Sequence, residues 1–230
     1  MGWMAKKVVA IIPARLDSSR FPAKMIADAS GKPLIQYAWE VAKRAKTVTD
    51  VYIATDSEEI ATRVREFCGK VIMTGEHLNG TSRIAEAVRE LNCDIVVNMQ
   101  GDEPELDPLV IDAAVNVLGD SVMATAVCAL QEDEISNENV VKVIVEEKRA
   151  VDFTRQTQEG SYRHIGLYIY QPDFLQTYVD MQPTQNEVSR RLEQMRAIDN
   201  GYSIAVAFVE PQPGGIDTRE QYEEFVNRVL

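Results

Sequence analysis

The chain reads as an α/β protein: a three-layer αβα arrangement around a mostly parallel sheet. Three observations predict this. Short apolar, β-branched runs alternate with amphipathic patterns of helical period from about residue 7 to about residue 130, the mark of successive βαβ units. Those runs are apolar at nearly every position, as strands covered on both faces are. Polar and charged clusters follow several runs directly, where open α/β sheets bind ligands.

Lys7–Pro13 is the first strand, nearly all apolar. Pro33–Lys46 follows as a helix, with Leu34, Ile35, Ala38, Val41, Ala42 and Ala45 on one face and Pro33 near its first turn. "DVYIAT" at 50–55 is the second strand. In "DSEEIATRVREF", Ser57 is placed to cap a helix whose first turn carries carboxylates. "KVIMT", "DIVVNMQ" and "VMATAVCAL" read as further strands, separated by the helices "TSRIAEAVREL" and "PLVIDAAVNVL". The rhythm changes after Gln131: an acidic loop, "QEDEISNEN", leads to the strand-like "VVKVIVEE" and "RHIGLYIY". Helices are then expected near Pro172–Val179 and Glu187–Asn200, a strand at "SIAVAFV", and a closing helix in "TREQYEEFVNRVL". No repeat or flexible linker divides the chain, so residues 1–230 read as one domain. Its core spans about 7–130, a smaller part about 131–210, and a loop with the closing helix 211–230.

Composition narrows the function classes. A hydrophobic fraction of 45% and a charged fraction of 26% fit a soluble globular chain. The net charge of −12 argues against general nucleic-acid or anionic-lipid binding. Cys68, Cys93 and Cys128 are odd in number, dispersed and without CxxC spacing, which points to reduced thiols in a cytoplasmic protein. No apolar run approaches the roughly 20 residues of a membrane-spanning helix, and "MGWMAKK" lacks a signal-peptide core.

Against that acidic background, "PARLDSSRFPAK" at 13–24 places Arg15, Arg20 and Lys24 after the first strand. These cations could converge on a polyphosphate, with backbone N–H groups of the turn filling the gaps; an exposed basic loop is the other reading of the same composition. Neither GxxxxGK[ST] nor GxGxxG is present. "QGDEP" at 100–104 offers hard carboxylate oxygens at a strand end, suited either to a divalent cation or to a helix cap. "GGIDT" at 214–218 could supply a second carboxylate, Asp217, or merely cap the last helix. "HLNGTSR" at 77–83 makes a tight turn whose N–H groups could meet a base or ribose, or simply start a helix.

Taken together and in order, these strings resemble the 3-deoxy-manno-octulosonate (Kdo) cytidylyltransferases. The resemblance runs through "IIPARLDSSRFPAK", "GKPLIQYAWEVA", "ATDSEEI", "HLNGTSRIAE", "VNMQGDEP", "NVVKVI", "FTR", "RHIGLYIY", "LEQMRAI" and "GGIDT". It implies a nucleotide-diphospho-sugar-transferase-like sheet with a small sugar-binding and dimerisation subdomain. It also implies transfer of CMP from CTP to the anomeric 2-hydroxyl of Kdo for lipopolysaccharide biosynthesis, with Mg²⁺ as cofactor, in a cytoplasmic homodimer. Another 2-keto sugar acid, an 8-amino Kdo or a nonulosonate, is the alternative acceptor.

Carried over residue by residue, the resemblance makes Pro13, Ala14, Arg15, Ser19, Arg20 and Lys24 nucleotide-binding, Arg15 and Lys24 gripping the CTP triphosphate, and puts Asn79, Gly80, Thr81 and Arg83 near the cytidine. Asp102 and Asp217 become the Mg²⁺ carboxylates; with Arg15 and Lys24 they form the catalytic set. Gln100, Arg155, His164, Tyr168, Glu193 and Gln194 line the sugar-acid pocket, His164 as an orienting hydrogen-bond donor. The chain departs from the family pattern at Met25, Ser82, Gln171, Arg190 and the short "QTQEGSY" between Arg155 and Arg163.

Overall fold

The computed structural model describes residues 6–17 and 20–230. Nine strands form one sheet: β1 Val8–Ala14, β2 Asp50–Thr55, β3 Lys70–Met73, β4 Ile95–Asn98, β5 Met123–Cys128, β6 Lys142–Glu146, β7 Arg149–Thr154, β8 Tyr162–Tyr170 and β9 Ile204–Phe208. Eight α-helices accompany them: α1 Leu34–Arg44, α2 Glu58–Glu66, α3 Gly80–Val88, α4 Pro108–Val117, α5 Pro172–Asp180, α6 Gln185–Arg190, α7 Met195–Asp199 and α8 Arg219–Val229. None is long and apolar enough to cross a membrane.

The sheet order is β3-β2-β1-β4-β8-β5-β9-β7-β6. β1 shows why the core sits on both sides. Val8, Ala10, Ile12 and Ala14 pack with α1, α2 and α4, whereas Val9 and Ile11 pack with α3 and α5. A strand covered on both faces leaves only its ends for polar residues. α8 closes a third, small cluster in which Phe21, Leu34, Ile216 and Phe225 meet.

The three-layer expectation is met, with one difference in the sheet. β3-β2-β1-β4 and the β5–β9 pair are parallel, but β8 enters between β4 and β5 antiparallel to both. β8 also pairs with β6, so β8-β5-β9-β7-β6 close into a ring of pairings. β7 has no counterpart in the sequence reading. Its hairpin with β6 turns through Glu147 and Lys148, both left-handed at φ 45° and 62°. Such a turn ordinarily advertises itself with Asn or Gly, and here it does not. The single helix expected over Glu187–Asn200 is two helices, broken where Arg191 takes φ 56°.

β8 carries a bulge: Thr125 pairs with Tyr168 but Ala126 with Ile165. Two residues are thereby added to β8, so side-chain parity survives. Ile165, Leu167 and Ile169 face one side while Tyr162, Tyr168 and Tyr170 face the other. Gly166 lies in this bulge, and a Cβ there would come within 3.0 Å of Glu103 Oε1.

Candidate active site

The C-terminal ends of β1 and β4 open into a cleft of about 350 Å³. After Ala14 the chain makes a basic loop that closes when the Ala23 N–H donates to the Leu16 carbonyl (3.1 Å). Phe21 anchors the loop, buried against Tyr222 with ring centroids 5.4 Å apart. That anchor divides the cations: Arg15 and Arg20 stay exposed, while Lys24, in the short 3₁₀ turn Lys24–Ile26, is buried. Ser19 lies outside the described residues.

Lys24 Nζ donates to Asp102 Oδ2 and to the Ile216 carbonyl, each at 2.6 Å, and lies 3.8 Å from Asp217 Oδ1. Arg20 reaches the same Asp217 oxygen at 3.0 Å. The two carboxylates, 115 positions apart in numbering (217 − 102), meet because the Ile216 N–H donates to the Asp102 carbonyl (2.8 Å). Gly101 permits the approach on the other side, since a Cβ there would stand 2.8 Å from Met25 Sδ and 3.3 Å from Ile12 Cγ2.

This donor set fits a hard divalent cation held jointly with a nucleotide. Two carboxylates already converge on a cationic nitrogen, and phosphate oxygens and water would complete an octahedron. Among the described residues no cluster of three or more His, Cys, Asp or Glu forms a cage of its own.

The opposite wall is the start of α3. Asn79 caps the helix, its Oδ1 accepting from the Ser82 N–H at 2.8 Å, and Gly80 lies so close to Pro13 that a Cβ would sit 3.0 Å from its ring. Two of the residues expected near the cytidine are also held by other side chains. Arg83 lines the cleft, but its guanidinium is committed, donating to Asp56 Oδ2 at 2.8 Å and Thr74 Oγ1 at 2.7 Å. These bonds fix it in the wall of the cleft. Burial raises the Asp56 carboxyl, but the Arg83 hydrogen bond and charge outweigh it and leave a net lowering. Thr81, expected near the cytidine, donates to Glu193 Oε2 (3.0 Å), a residue expected to line the sugar-acid pocket.

That contact joins the two expected subsites. Glu193 sits on a turn held by Tyr178 Oη, which donates to its carbonyl at 2.5 Å, and by the buried Glu187–Arg196 pair at 2.5 Å. Burial pushes the Glu193 carboxyl up despite the Thr81 hydrogen bond. Gln194 is buried beside it at the start of α7. On β8, the His164 and Tyr168 rings lie 5.2 Å apart, and Gln100 approaches Gly166 from β4. Burial holds the Tyr168 hydroxyl well above its ordinary range.

His164 Nε2 lies 2.9 Å from Thr125 Oγ1, whose hydroxyl also lies 2.7 Å from the Leu167 carbonyl. With the hydroxyl hydrogen on that carbonyl, the pairing favours the Nε2–H tautomer of His164, with Nδ1 as the acceptor. Burial, with the neighbouring Arg163 charge, pushes its pKa down to about 3. Arg155 does not join this group. It donates to the Glu138 and Asn139 carbonyls at 3.2 Å and borders a separate polar cleft of about 600 Å³ beside Asp152 and Arg190.

Several residues of the site were not singled out from the sequence. His77 is tied to Glu86, which also accepts from the Gly75 N–H, and the pair holds the wall before Asn79. Glu103 follows Asp102 in "QGDEP" with Oε2 buried and without a hydrogen-bond partner among the described residues. Burial, and then the Asp102 charge, push it up to about 7. The adjacent Asp102 hid Glu103 in the sequence, since one turn carboxylate looks like another until burial separates them.

Comparison with known proteins adds an independent line. A sequence model of the family described as Cytidylyltransferase matches residues 9–204. The 3-deoxy-manno-octulosonate cytidylyltransferase of Solibacter usitatus is 40% identical, over 96% of this chain and 93% of its own length. The 8-amino-3,8-dideoxy-manno-octulosonate cytidylyltransferase of Shewanella pealeana is 39% identical, over 93% of this chain and 94% of its own. A solved structure described as CMP:2-keto-3-deoxy-manno-octonic acid synthetase complexed with CTP superposes with a TM-score of 0.92 at 33% identity. It covers 96% of this chain and 98% of that one.

Proposed function

The chain belongs to the cytidylyltransferase family, and on that premise we propose that it transfers CMP from CTP to the anomeric 2-hydroxyl of Kdo, giving CMP-Kdo and pyrophosphate. One observation carries the reading. A basic loop and a carboxylate pair, in direct contact with each other, line one side of a cleft whose other wall is the start of α3, and Thr81 links that helix to the Glu193 turn of the second expected subsite.

In this reading the triphosphate lies against Arg15, Arg20 and Lys24, where guanidinium forks and a compact ammonium suit phosphate oxygens. The sugar oxygen forms a bond to the α-phosphorus as the bond to the bridging oxygen breaks; pyrophosphate leaves and the hydroxyl proton passes to solvent. Such transfers depend on positioning and charge stabilisation more than on a protein nucleophile. Arg15 and Lys24 face the charge that builds on the leaving group. His164, neutral throughout the physiological range, orients the sugar by accepting a hydroxyl hydrogen at Nδ1. A Mg²⁺ held by Asp102 and Asp217 with phosphate oxygens would supply further charge neutralisation at the reacting phosphate. A homodimer, and a cytoplasmic place in lipopolysaccharide biosynthesis, belong to the same reading and rest on the family resemblance.

The test is pyrophosphate release from CTP and Mg²⁺ with Kdo, 8-amino Kdo and N-acetylneuraminate in parallel, with ATP, GTP and UTP as controls. Release with CTP and Kdo supports the proposal. Release only with another sugar moves the acceptor, and release with none overturns the proposed activity.

A further inference from the structure

Asp217 reaches the cleft at the end of a segment that the sheet does not hold. The last bond of sheet type is the Val209 N–H to the Val127 carbonyl at 2.9 Å. Pro211 and Pro213 lack N–H groups and cannot extend β9. Gly214 and Gly215 follow, and Gly215 passes Asp102 at van der Waals distance, where a Cβ would lie 3.4 Å from the Asp102 carbonyl oxygen. Glycines leave such a passage without local stiffness, so the position of Asp217 depends on what grips the segment on either side.

Downstream, the Ile216 N–H, its carbonyl and its buried side chain are all engaged, as described above. Upstream, Gln212 Oε1 accepts from the Asp107 N–H at 2.9 Å, and one charged side chain grips the two carbonyls of Gln212 and Pro213. Arg163 Nη1 donates to the Gln212 carbonyl at 2.6 Å and Nη2 to the Pro213 carbonyl at 3.2 Å. The same guanidinium pairs with Glu134 at 3.0 Å, and both side chains are largely buried, at 15% and 14% exposure. Glu134 comes from the acidic loop after β5, and its carboxylate also accepts from the Gln131 N–H at 2.9 Å, which fixes it in place.

We propose that Arg163, oriented by Glu134, is a positioning residue for Asp217: its fork across two successive carbonyls sets where the 212–217 segment delivers that carboxylate. The inference rests on the reading of Asp217 as a cation ligand. It gives a task to the acidic 131–139 loop, which otherwise contributes nothing to the cleft. Arginine suits the task because its planar guanidinium holds both carbonyls and the Glu134 carboxylate in one fixed geometry, which an ammonium on a flexible stem would hold less rigidly.

The test compares wild-type protein with Arg163→Met, Arg163→Lys, Glu134→Gln and Asp217→Asn. Mn²⁺ occupancy in the presence of CTP is titrated by electron paramagnetic resonance, and amide hydrogen exchange is followed over residues 214–217. Arg163→Met is expected to weaken Mn²⁺ binding about tenfold, the effect of losing charge-assisted hydrogen bonds, and to speed exchange in that segment. Arg163→Lys should fall between it and wild type, and Glu134→Gln should shift both readouts the same way by less. Unchanged Mn²⁺ binding and exchange in Arg163→Met, alongside weakened binding in Asp217→Asn, overturn the inference. If Arg163→Met does not fold, Arg163→Lys and Glu134→Gln decide by the same criteria. If Asp217→Asn leaves Mn²⁺ binding intact, the cation reading of Asp217 fails instead, and exchange alone judges the clamp.

Discussion

Arg163 and His164 adjoin in the chain and leave β8 on opposite faces. Arg163 turns to the Gln212 and Pro213 carbonyls beside the carboxylate loop, and His164 turns to Thr125 on the side where Tyr168 and Glu193 gather. One strand thus serves both halves of the site, because side chains alternate along it and its two-residue bulge preserves the alternation.

The state of His164 makes a pH prediction. Its folded pKa of about 3 lies below the ordinary 6.5. Between those values the unfolded chain binds the proton and the folded one does not, so this contribution to stability is complete above about pH 6.5 and is lost as pH falls towards 3. Denaturant melts of His164→Gln should show a shallower fall over that window. The acidic limb of its pH–rate profile should stay where wild type has it, with the effect mainly in KM for the sugar. A displaced acidic limb would mean that His164 titrates during turnover.

Lys24 holds Asp102 and the Ile216 carbonyl together. Lys24→Met leaves two carboxylates facing each other across a partly buried gap, with an expected cost of about 2 kcal/mol in thermal or denaturant unfolding. The same variant should lower kcat/KM for CTP by about a hundredfold or more, the scale of losing a charged transition-state contact. Arg15→Ala, at an exposed position, should lower kcat/KM for CTP by less and without the stability loss. Equal effects from both substitutions would contradict the division of the loop's cations.

Arg196 and Glu187 form a buried bidentate pair beneath the Glu193 turn, with the Arg196 guanidinium over the Tyr178 ring at 5.0 Å. Arg196→Met should cost about 3 kcal/mol, since it strands a buried carboxylate. By loosening the turn it should also raise KM for the sugar while KM for CTP holds. Steady-state kinetics with each substrate varied in turn would separate the two.

Gly101 lies against Met25, next to Lys24. Gly101→Ala pushes on the Met25 thioether and should lower kcat/KM about tenfold, in line with the cost of overpacking. Met25→Ala in the same protein makes room and should restore part of the loss. No rescue in the double variant would place the strain on Ile12 instead.

Much of the fold was legible because its signals are local. The strand Asp50–Thr55 stands where its apolar run lies, and Ser57 caps α2 by accepting from the Ile60 N–H at 3.3 Å. β7 was not legible, since Glu147 and Lys148 make a left-handed turn without the residues that favour one. Nor was the break at Arg191, whose αL conformation follows from packing the Glu193 turn and not from any glycine. In the site, the strings around Lys24, Asp102 and Asp217 were readable as chemistry. The commitment of Arg83 to Asp56, the link from Thr81 to Glu193 and the separate place of Arg155 were not, because each is a contact between distant segments.

By itself the sequence determined the layered α/β architecture, the basic loop at one strand end and the carboxylates at two others, because periodicity and residue type act over a few neighbouring positions. Only the tertiary structure decided the path of β8 between β4 and β5, the pairing of His164 with Thr125 and the grip of Arg163 on the 212–217 segment. Those depend on which backbone groups the sheet leaves unpaired once it has formed, and a hydrogen bond across 50 residues, as from Arg163 to Pro213, has no trace in local pattern.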